Sequence, residues 1–311
     1  MIRYLQHNQI DKTGWDRCVA ASMNRRIYAF SWYLDQVCNG WDALVEDDYI
    51  SVFPLTHRNK WGINYLYEPF FTQQLGIFST KPVTEELVSG FLGQIPLKFR
   101  FVEIHLNSMN PVKTGGFNTF PRLNHEVNLS TDYDQLYAAY SQNTRRNLKK
   151  AGEYGILLSM DTSIDELISL FRENFGKREG KLKQDHYRIL EGLLNELKNR
   201  LQGVVYSVVN TSGKLMTAAF VLTDGGRHYF LFAASDPAAR ENGAMFLLID
   251  QIIKQHAGSG TILDFEGGND PNLARFYKGF GACEVVYPAL RINRLPFFLW
   301  MGIRLIRKIR P

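Results

Sequence analysis

Leu263-Asp264-Phe265-Glu266-Gly267-Gly268-Asn269-Asp270-Pro271-Asn272-Leu273-Ala274-Arg275-Phe276-Tyr277-Lys278-Gly279-Phe280-Gly281-Ala282 carries the densest chemistry in this chain. It reads as a strand (Thr261–Glu266) ending in carboxylates and glycines, then a short helix (Leu273–Tyr277) that delivers Tyr277 and Lys278 before a Gly-Phe-Gly turn. Alternation along the strand puts Asp264 and Glu266 on one face and Phe265 on the other. A tyrosine hydroxyl can give a proton to a leaving group, and a strand-end carboxylate can take one from an amine. The plainer reading of the same residues makes Phe276 and Phe280 core and leaves the Tyr277 hydroxyl in water.

Working outward, Ser235-Asp236-Pro237-Ala238-Ala239-Arg240-Glu241-Asn242-Gly243-Ala244-Met245 is a loop after a strand (Gly226–Ala234) that opens an apolar helix (Asn242–Gln255). A glycine in that first turn lets a ligand approach the backbone, and free N–H groups with the helix dipole can hold a phosphate. An N-capped core helix is the rival reading. Further upstream, Val204–Val209 and Lys214–Leu222 form a hairpin around Asn210-Thr211-Ser212-Gly213, preceded by a long helical pattern over Ile164–Leu201. Tyr133–Tyr154 reads as one helix, capped by Ser130-Thr131-Asp132 and preceded by a strand at His125–Leu129. On that helix Arg145/Lys149 and Arg146/Lys150 are like-charge i,i+4 pairs, each costing a few tenths of a kcal/mol (~0.2–0.5) unless an anion lies between them. They read as a phosphate- or nucleic-acid-facing stripe, or as a solvated basic face. A last strand is expected around Glu284–Pro288.

The first half repeats the layout: a helical region over 15–38, continuous or broken in the middle, then Ala43-Leu44-Val45, an acidic turn at Glu46-Asp47-Asp48, and a second strand at Tyr49–Leu55. Helices followed by a hairpin, twice, suggest two copies of one α/β fold, with a boundary in the turn-rich stretch 108–124. The 311 residues exceed what one core usually supports, which agrees with two domains. With 45% apolar and 22% charged residues the composition is ordinary globular, excluding a disordered, collagen-like or disulfide-stapled chain.

The net charge of +5 is concentrated at the end: Arg291, Arg294, Arg304, Arg307, Lys308 and Arg310 have no acidic neighbour, which leaves −1 for the preceding 290 residues. Phe298–Trp300 and the isoleucines between these cations suit a helix lying on an anionic membrane, or one packed on the second domain. The longest uncharged apolar run, Leu295–Ile303, is nine residues, far short of a membrane span. Met1–Asn8 lacks the apolar stretch of a signal peptide, and three scattered cysteines suit reduced thiols, so a soluble cytoplasmic protein is expected. No Gly-rich loop ending in Gly-Lys-Ser/Thr, dinucleotide fingerprint, zinc-spaced His/Cys set or Gly-x-Ser-x-Gly elbow occurs, which weighs against nucleotide hydrolysis, hydride transfer, metallohydrolysis and serine hydrolysis.

The run Ala274–Ala282 resembles the closing motif of GNAT-superfamily acyltransferases, and Arg240-x-x-Gly243 resembles their coenzyme A pyrophosphate loop. Three features together resemble the tandem-GNAT FemABX group: the basic helix Arg145–Ala151, the Asp264-Phe265-Glu266-Gly267…Phe280-Gly281 block, and the duplicated layout. Glu68-Pro69-Phe70-Phe71-Thr72-Gln73-Gln74-Leu75-Gly76-Ile77 is similar to a first-domain segment of FemAB-like proteins. The likeness covers about residues 1–290. Two places depart from the pattern: Met245 stands where the pyrophosphate loop usually has a small residue, and Tyr277 where peptidyltransferases commonly have lysine.

The resemblance implies an α/β (α+β) protein of two tandem GNAT-like domains, 1–124 and 125–290, each a mixed central sheet flanked by helices, with a basic amphipathic tail over 291–311. It implies an N-acyltransferase using acetyl-CoA, another acyl-CoA or aminoacyl-tRNA, with no permanently bound cofactor and no metal. The implied acceptor is the amine of a phosphate-bearing envelope precursor, peptidoglycan-type or lipid-linked, met in the cytoplasm at the inner face of the membrane. In that pattern Tyr277 is the general acid; Glu266, the strand-end carboxylate, is read as the base. Arg240, Asn242, Gly243 and Ala244 grip the pyrophosphate, and the strand Met216–Leu222 offers N–H groups to the carbonyl. Arg145, Arg146, Lys149, Lys150, Lys278 and Asn269 meet the acceptor or a charged tRNA. Acetylation of a small amine or sugar, and a catalytically silent binding module, are the alternatives.

Overall fold

The computed structural model describes residues 1–113, 115–176 and 182–297 and divides into two compact units, Met1–Arg122 together with Tyr287 onward, and Leu123–Val286. The first unit opens with β1 (Ile2–Leu5), α1 (Lys12–Ala21) and α2 (Ser31–Val37), followed by the hairpin β2 (Asp42–Glu46) and β3 (Ser51–Leu55). The helical pattern over 15–38 is broken: Asp11 caps α1 by accepting from Thr13 N–H, the helix stops at Ser22, and a 3-10 turn at Ile27–Ala29 leads into α2. β4 (His57–Lys60) and β5 (Ile63–Tyr67) form a second hairpin, turned by the left-handed pair Trp61 and Gly62. The short β6 (Phe78–Ser79) pairs with β3, α3 (Glu85–Gly93) is capped by Thr84, and β7 (Phe99–His105) runs parallel to β5. Leu44, Phe53, Leu66, Phe91, Leu92 and Val102 bring the strands and α3 into one core.

The second unit takes β8 (Thr119–Asn128) from Leu123 onward, then α4 (Tyr133–Ala138) and α5 (Gln142–Glu153). The single helix expected over Tyr133–Tyr154 is therefore two. Asp132 caps the first as the sequence suggests, but the chain turns at Ala139–Ser141, where Ser141 accepts from Thr144 N–H and caps the second. β9 (Leu157–Ser159) precedes α6 (Ile164–Phe171), whose start is a capping box of Ser163 and Glu166. The helical pattern expected to Leu201 is resolved as α6, a π-turn at Arg172–Gly176 and α7 (Gln184–Asn199). Then come β10 (Gly203–Val209), β11 (Leu215–Asp224), β12 (Arg227–Ser235), α8 (Ala239–Asn242), α9 (Ala244–His256), β13 (Ile262–Asp264) and α10 (Pro271–Lys278).

Within this unit the strand neighbours are β8, β13, β12, β11, β10 and β9, all antiparallel except β12 with β13. Leu248, Ile249, Ile252 and Ile253 of α9 pack, with no exposed surface, against a core that includes Val127, Ala219, Val221, Phe230 and Leu263. The i, i+1, i+4, i+5 spacing gives α9 that one apolar stripe. Each such side chain contributes about 1.5–3 kcal/mol by leaving water. The closing strand β14 (Cys283–Asn293) turns back to the first unit, where residues 289–293 pair antiparallel with β7. Arg291 there pairs with Glu103, and Arg294 donates to the carbonyls of Pro96 and Phe99 at 3.0 and 3.2 Å. Two cations of the basic tail thus hold the first unit together, and the amphipathic stretch from residue 298 lies outside the described residues.

Candidate functional site

β12 and β13 are matched over three pairs only, Arg227–Ile262, His228–Leu263 and Tyr229–Asp264. β12 then continues from Phe230 to Ser235 with no described partner on that edge, and its register against β11 slips by one residue at Leu231, because Phe220 faces Phe232 while Val221 faces Phe230. A bulge bends a strand and increases its twist, so β12 and β13 part where the slip occurs. The exposed edge offers unpaired backbone N–H and C=O groups to a ligand. β11, by contrast, is paired on both sides through Thr217–Leu222. Of the N–H groups expected from Met216–Leu222, those of Thr217–Leu222 are spent in the sheet, and the edge that can meet a carbonyl belongs to β12.

The stretch after β13 is clamped at this opening. Asp264 is buried between Arg227 (3.2 Å) and Asn124 (2.8 Å), and its Oδ1 accepts Glu266 N–H at 3.0 Å. Asn124 Oδ1 accepts Gly267 N–H at 3.0 Å, and Asn269 is bonded in both directions to the Leu123 backbone. Gly268 sits at φ +144 with the His125 ring 2.0 Å from where a Cβ would be, which only glycine tolerates. Glu266 is held at φ +55, a conformation costing a non-glycine residue of order 1–3 kcal/mol and typical of functional sites.

Tyr277 is brought to the same place by α10, which starts where Asp270 accepts from Asn272 and Leu273 N–H and Pro271 supplies the first turn. Its ring stacks on Phe265 at 4.3 Å and 10°, and Phe265 in turn meets Phe230, the first residue past the paired part of β12, at 6.1 Å. Burial, and secondarily the charge of Glu266, push the Tyr277 hydroxyl up to about 12, so it stays protonated. Glu266 and Tyr277, both picked from the sequence, therefore share one site.

His125 joins them and was read from the sequence only as the start of a strand. Its ring lies 6.2 Å from that of Tyr277, and Nδ1 lies 3.1 Å from the Gly267 carbonyl. A carbonyl only accepts, so Nδ1 is the donor in that contact. Nε2 is buried with no hydrogen-bond partner among the described residues. No local pattern marks His125, because the turn it meets lies far along the chain.

Most of the remaining candidates have structural partners. Gly243 is left-handed (φ +76), and a Cβ there would come within 2.5 Å of the Asn147 carbonyl on α5, so the glycine is required by helix packing. Asn242 Oδ1 accepts Ala244 N–H at 3.1 Å, which occupies one of the donors expected for a pyrophosphate; Arg240 lies in α8. Arg145 donates to the Ala138 carbonyl at the end of α4 (2.6 Å), and Arg146 to Asn143 (2.9 Å). Lys150 lies over the Tyr154 ring at 5.8 Å, while Lys149 stands exposed with no partner among the described residues. Lys278 pairs with Glu284 at 2.9 Å, and Asn269 is the clamp on Leu123. Among the described residues no group of three or more His, Cys, Asp or Glu is placed to hold a metal ion, and no helix is long and apolar enough to cross a membrane.

Residues 138–278 match the acetyltransferase (GNAT) domain family. The second unit is thus an acyltransferase domain of the GNAT type. In structure the chain is similar to FemX, at a TM-score of 0.62 and 14% identity over 92% of this chain and 96% of that one. It is also similar to the C-terminal domain of a putative lysylphosphatidylglycerol synthetase from Agrobacterium fabrum, at 0.56 and 9% over 90% and 92%. L-PGS from Bacillus licheniformis matches at 0.53 and 10% over 86% and 88%. These likenesses establish a FemX-like tandem fold. No curated protein matches the chain in sequence.

Proposed function

We propose that the protein forms an amide by moving an acyl or aminoacyl group onto the amine of an envelope precursor, at the opening between β12 and β13. The observation that carries this reading is the convergence of the unpaired β12 edge, Glu266 and Tyr277 at that opening, linked through Phe230 and Phe265. The amine attacks the carbonyl carbon, whose oxygen is polarised by N–H groups of the β12 edge. Glu266 takes the proton the amine must lose, with His125 Nε2 as the neighbouring second acceptor. The leaving group departs with a hydrogen bond from Tyr277.

The Tyr277 hydroxyl also bears on the donor. A thiolate is a weaker base than a phenolate, and burial raises the Tyr277 hydroxyl further, so the tyrosine gives a thiolate a hydrogen bond and keeps its proton. An alkoxide is a far stronger base and takes that proton readily. Tyr277 is therefore better matched to an ester donor such as aminoacyl-tRNA than to a thioester. The occupied Ala244 N–H and the close packing at Gly243 support the same preference. The fold shared with FemX and with structures named as lysylphosphatidylglycerol synthetases is consistent with an aminoacyl donor and an envelope or lipid acceptor, reached from the cytoplasm. The exposed Lys149 offers its charge to a phosphate-bearing partner.

Calorimetric titration of the protein with acetyl-CoA, coenzyme A and charged tRNA tests the donor. Binding of charged tRNA with no heat from acetyl-CoA is the expected result. Micromolar binding specific to thioesters would move the assignment to acetylation of a small amine or sugar, and binding of neither would leave a silent module.

A further inference from the structure

The first unit contains a cavity of about 350 Å³ between β5, β7 and the chain near residue 120. Tyr65, Phe101 and Phe120 form its aromatic walls, and Glu68 and Arg122 are among its polar lining. Glu68 Oε2 accepts His105 N–H at 2.8 Å, while Oε1 is buried with no hydrogen-bond partner among the described residues. Arg122 Nε is likewise buried without a partner, and no described carboxylate pairs with its guanidinium. The other guanidinium on the cavity, Arg291, is already matched by Glu103 and lies 5.1 Å from the Phe120 ring centroid. The His105 imidazole is committed to the Gln73 carbonyl through Nδ1, and burial holds its pKa below the usual value.

The cavity therefore has one uncompensated cation and one carboxyl oxygen lacking a donor. An inorganic anion would satisfy Arg122 and hold the buried Glu68 carboxyl in its neutral form. A cation would do the reverse, and a neutral sugar would leave the guanidinium charge unmatched. A ligand bearing both an ammonium and a carboxylate answers both groups at once, and the volume and aromatic walls suit something of amino-acid or dipeptide size. We propose that this cavity binds a small amino-carboxylate, with its carboxylate on Arg122 and its ammonium on Glu68. Burial raises the Glu68 pKa well above the carboxylate range in the empty cavity, so the carboxyl gives its proton to solvent as the ammonium arrives.

The test is calorimetry of the full chain with L-alanine, L-phenylalanine and L-alanyl-L-alanine, beside propionate, ethylamine and glucose. At least one zwitterion is expected to bind at least tenfold more tightly than all three controls. It should release about one proton per ligand, read from the dependence of the heat on buffer ionisation enthalpy. Glu68→Gln, which keeps an acceptor for His105 N–H and so preserves the fold, should weaken binding at least tenfold and abolish the proton release. Arg122→Gln should weaken it tenfold, with Arg122→Lys restoring part. No binding by any zwitterion, equal binding of glucose, or unchanged binding in Glu68→Gln overturns the proposal. None of these readouts involves group transfer, so the result is independent of the acyltransferase reading.

Discussion

Tyr277 keeps its proton because it is buried on Phe265 beside the Glu266 charge, and that is the state a hydrogen-bond donor to a leaving group requires. Tyr277→Phe preserves the stacked ring and removes only the hydroxyl. It is expected to lower kcat about 100-fold with KM and the thermal midpoint little changed, measured by steady-state kinetics and calorimetry. A second residue-scale consequence concerns His228, stacked on His256 at 3.8 Å and bonded to Thr223 and Thr261. Burial, and secondarily His256, lower its pKa to about 4. Between the ordinary value of 6.5 and about 4 the unfolded chain therefore binds a proton that the folded chain does not, so stability falls as pH drops through that window. Urea unfolding at pH 7 and pH 4.5 should show a larger loss in the wild type than in His228→Gln; equal losses would place the titration elsewhere. Both Glu266 and Tyr277 were legible in the sequence because they sit in one run of polar residues and glycines. His125 was not, since its partner turn is brought to it only by the pairing of β8 with β13.

The elements repeat this division between local and long-range signals. Strong patterns such as the β10–β11 hairpin and the stripe of α9 were readable because period and turn chemistry agree. The break between α4 and α5 was hidden by continuous helix-forming residues, and is made where Ser141 N–H reaches the Gly279 carbonyl, a long-range bond. β4 escaped because His57-Arg58-Asn59-Lys60 has no apolar alternation. The role of Gly243 was read as access for a ligand, whereas the element that approaches it is α5. Gly243→Ala must adopt a left-handed conformation and displace the Asn147 carbonyl, so a loss of at least about 1 kcal/mol in urea unfolding is expected. Leu248→Ala, which empties a site with no exposed surface, should cost about 2–5 kcal/mol in the same measurement.

For the whole molecule, the duplicated helix-and-hairpin layout announced a tandem fold, and the charge arithmetic placed the excess of cations at the end of the chain. What the arithmetic could not show is that Arg291 and Arg294 are spent on partners inside the first unit, Glu103 and the carbonyls of Pro96 and Phe99. A truncation after Phe297 keeps both of these anchors, and it should reduce co-sedimentation with anionic vesicles; full co-sedimentation would remove the membrane role of the tail. Acyl transfer at the β12–β13 opening is the central claim, and formation of the amide tests it most directly. The purified protein is incubated with charged tRNA, or with acetyl-CoA, and a lipid-linked or muropeptide amine, and the product is followed by mass spectrometry. An amide from the aminoacyl donor, made about 100-fold more slowly by Tyr277→Phe, is the predicted result. No amide from either donor, or equal rates in wild type and variant, would contradict the account.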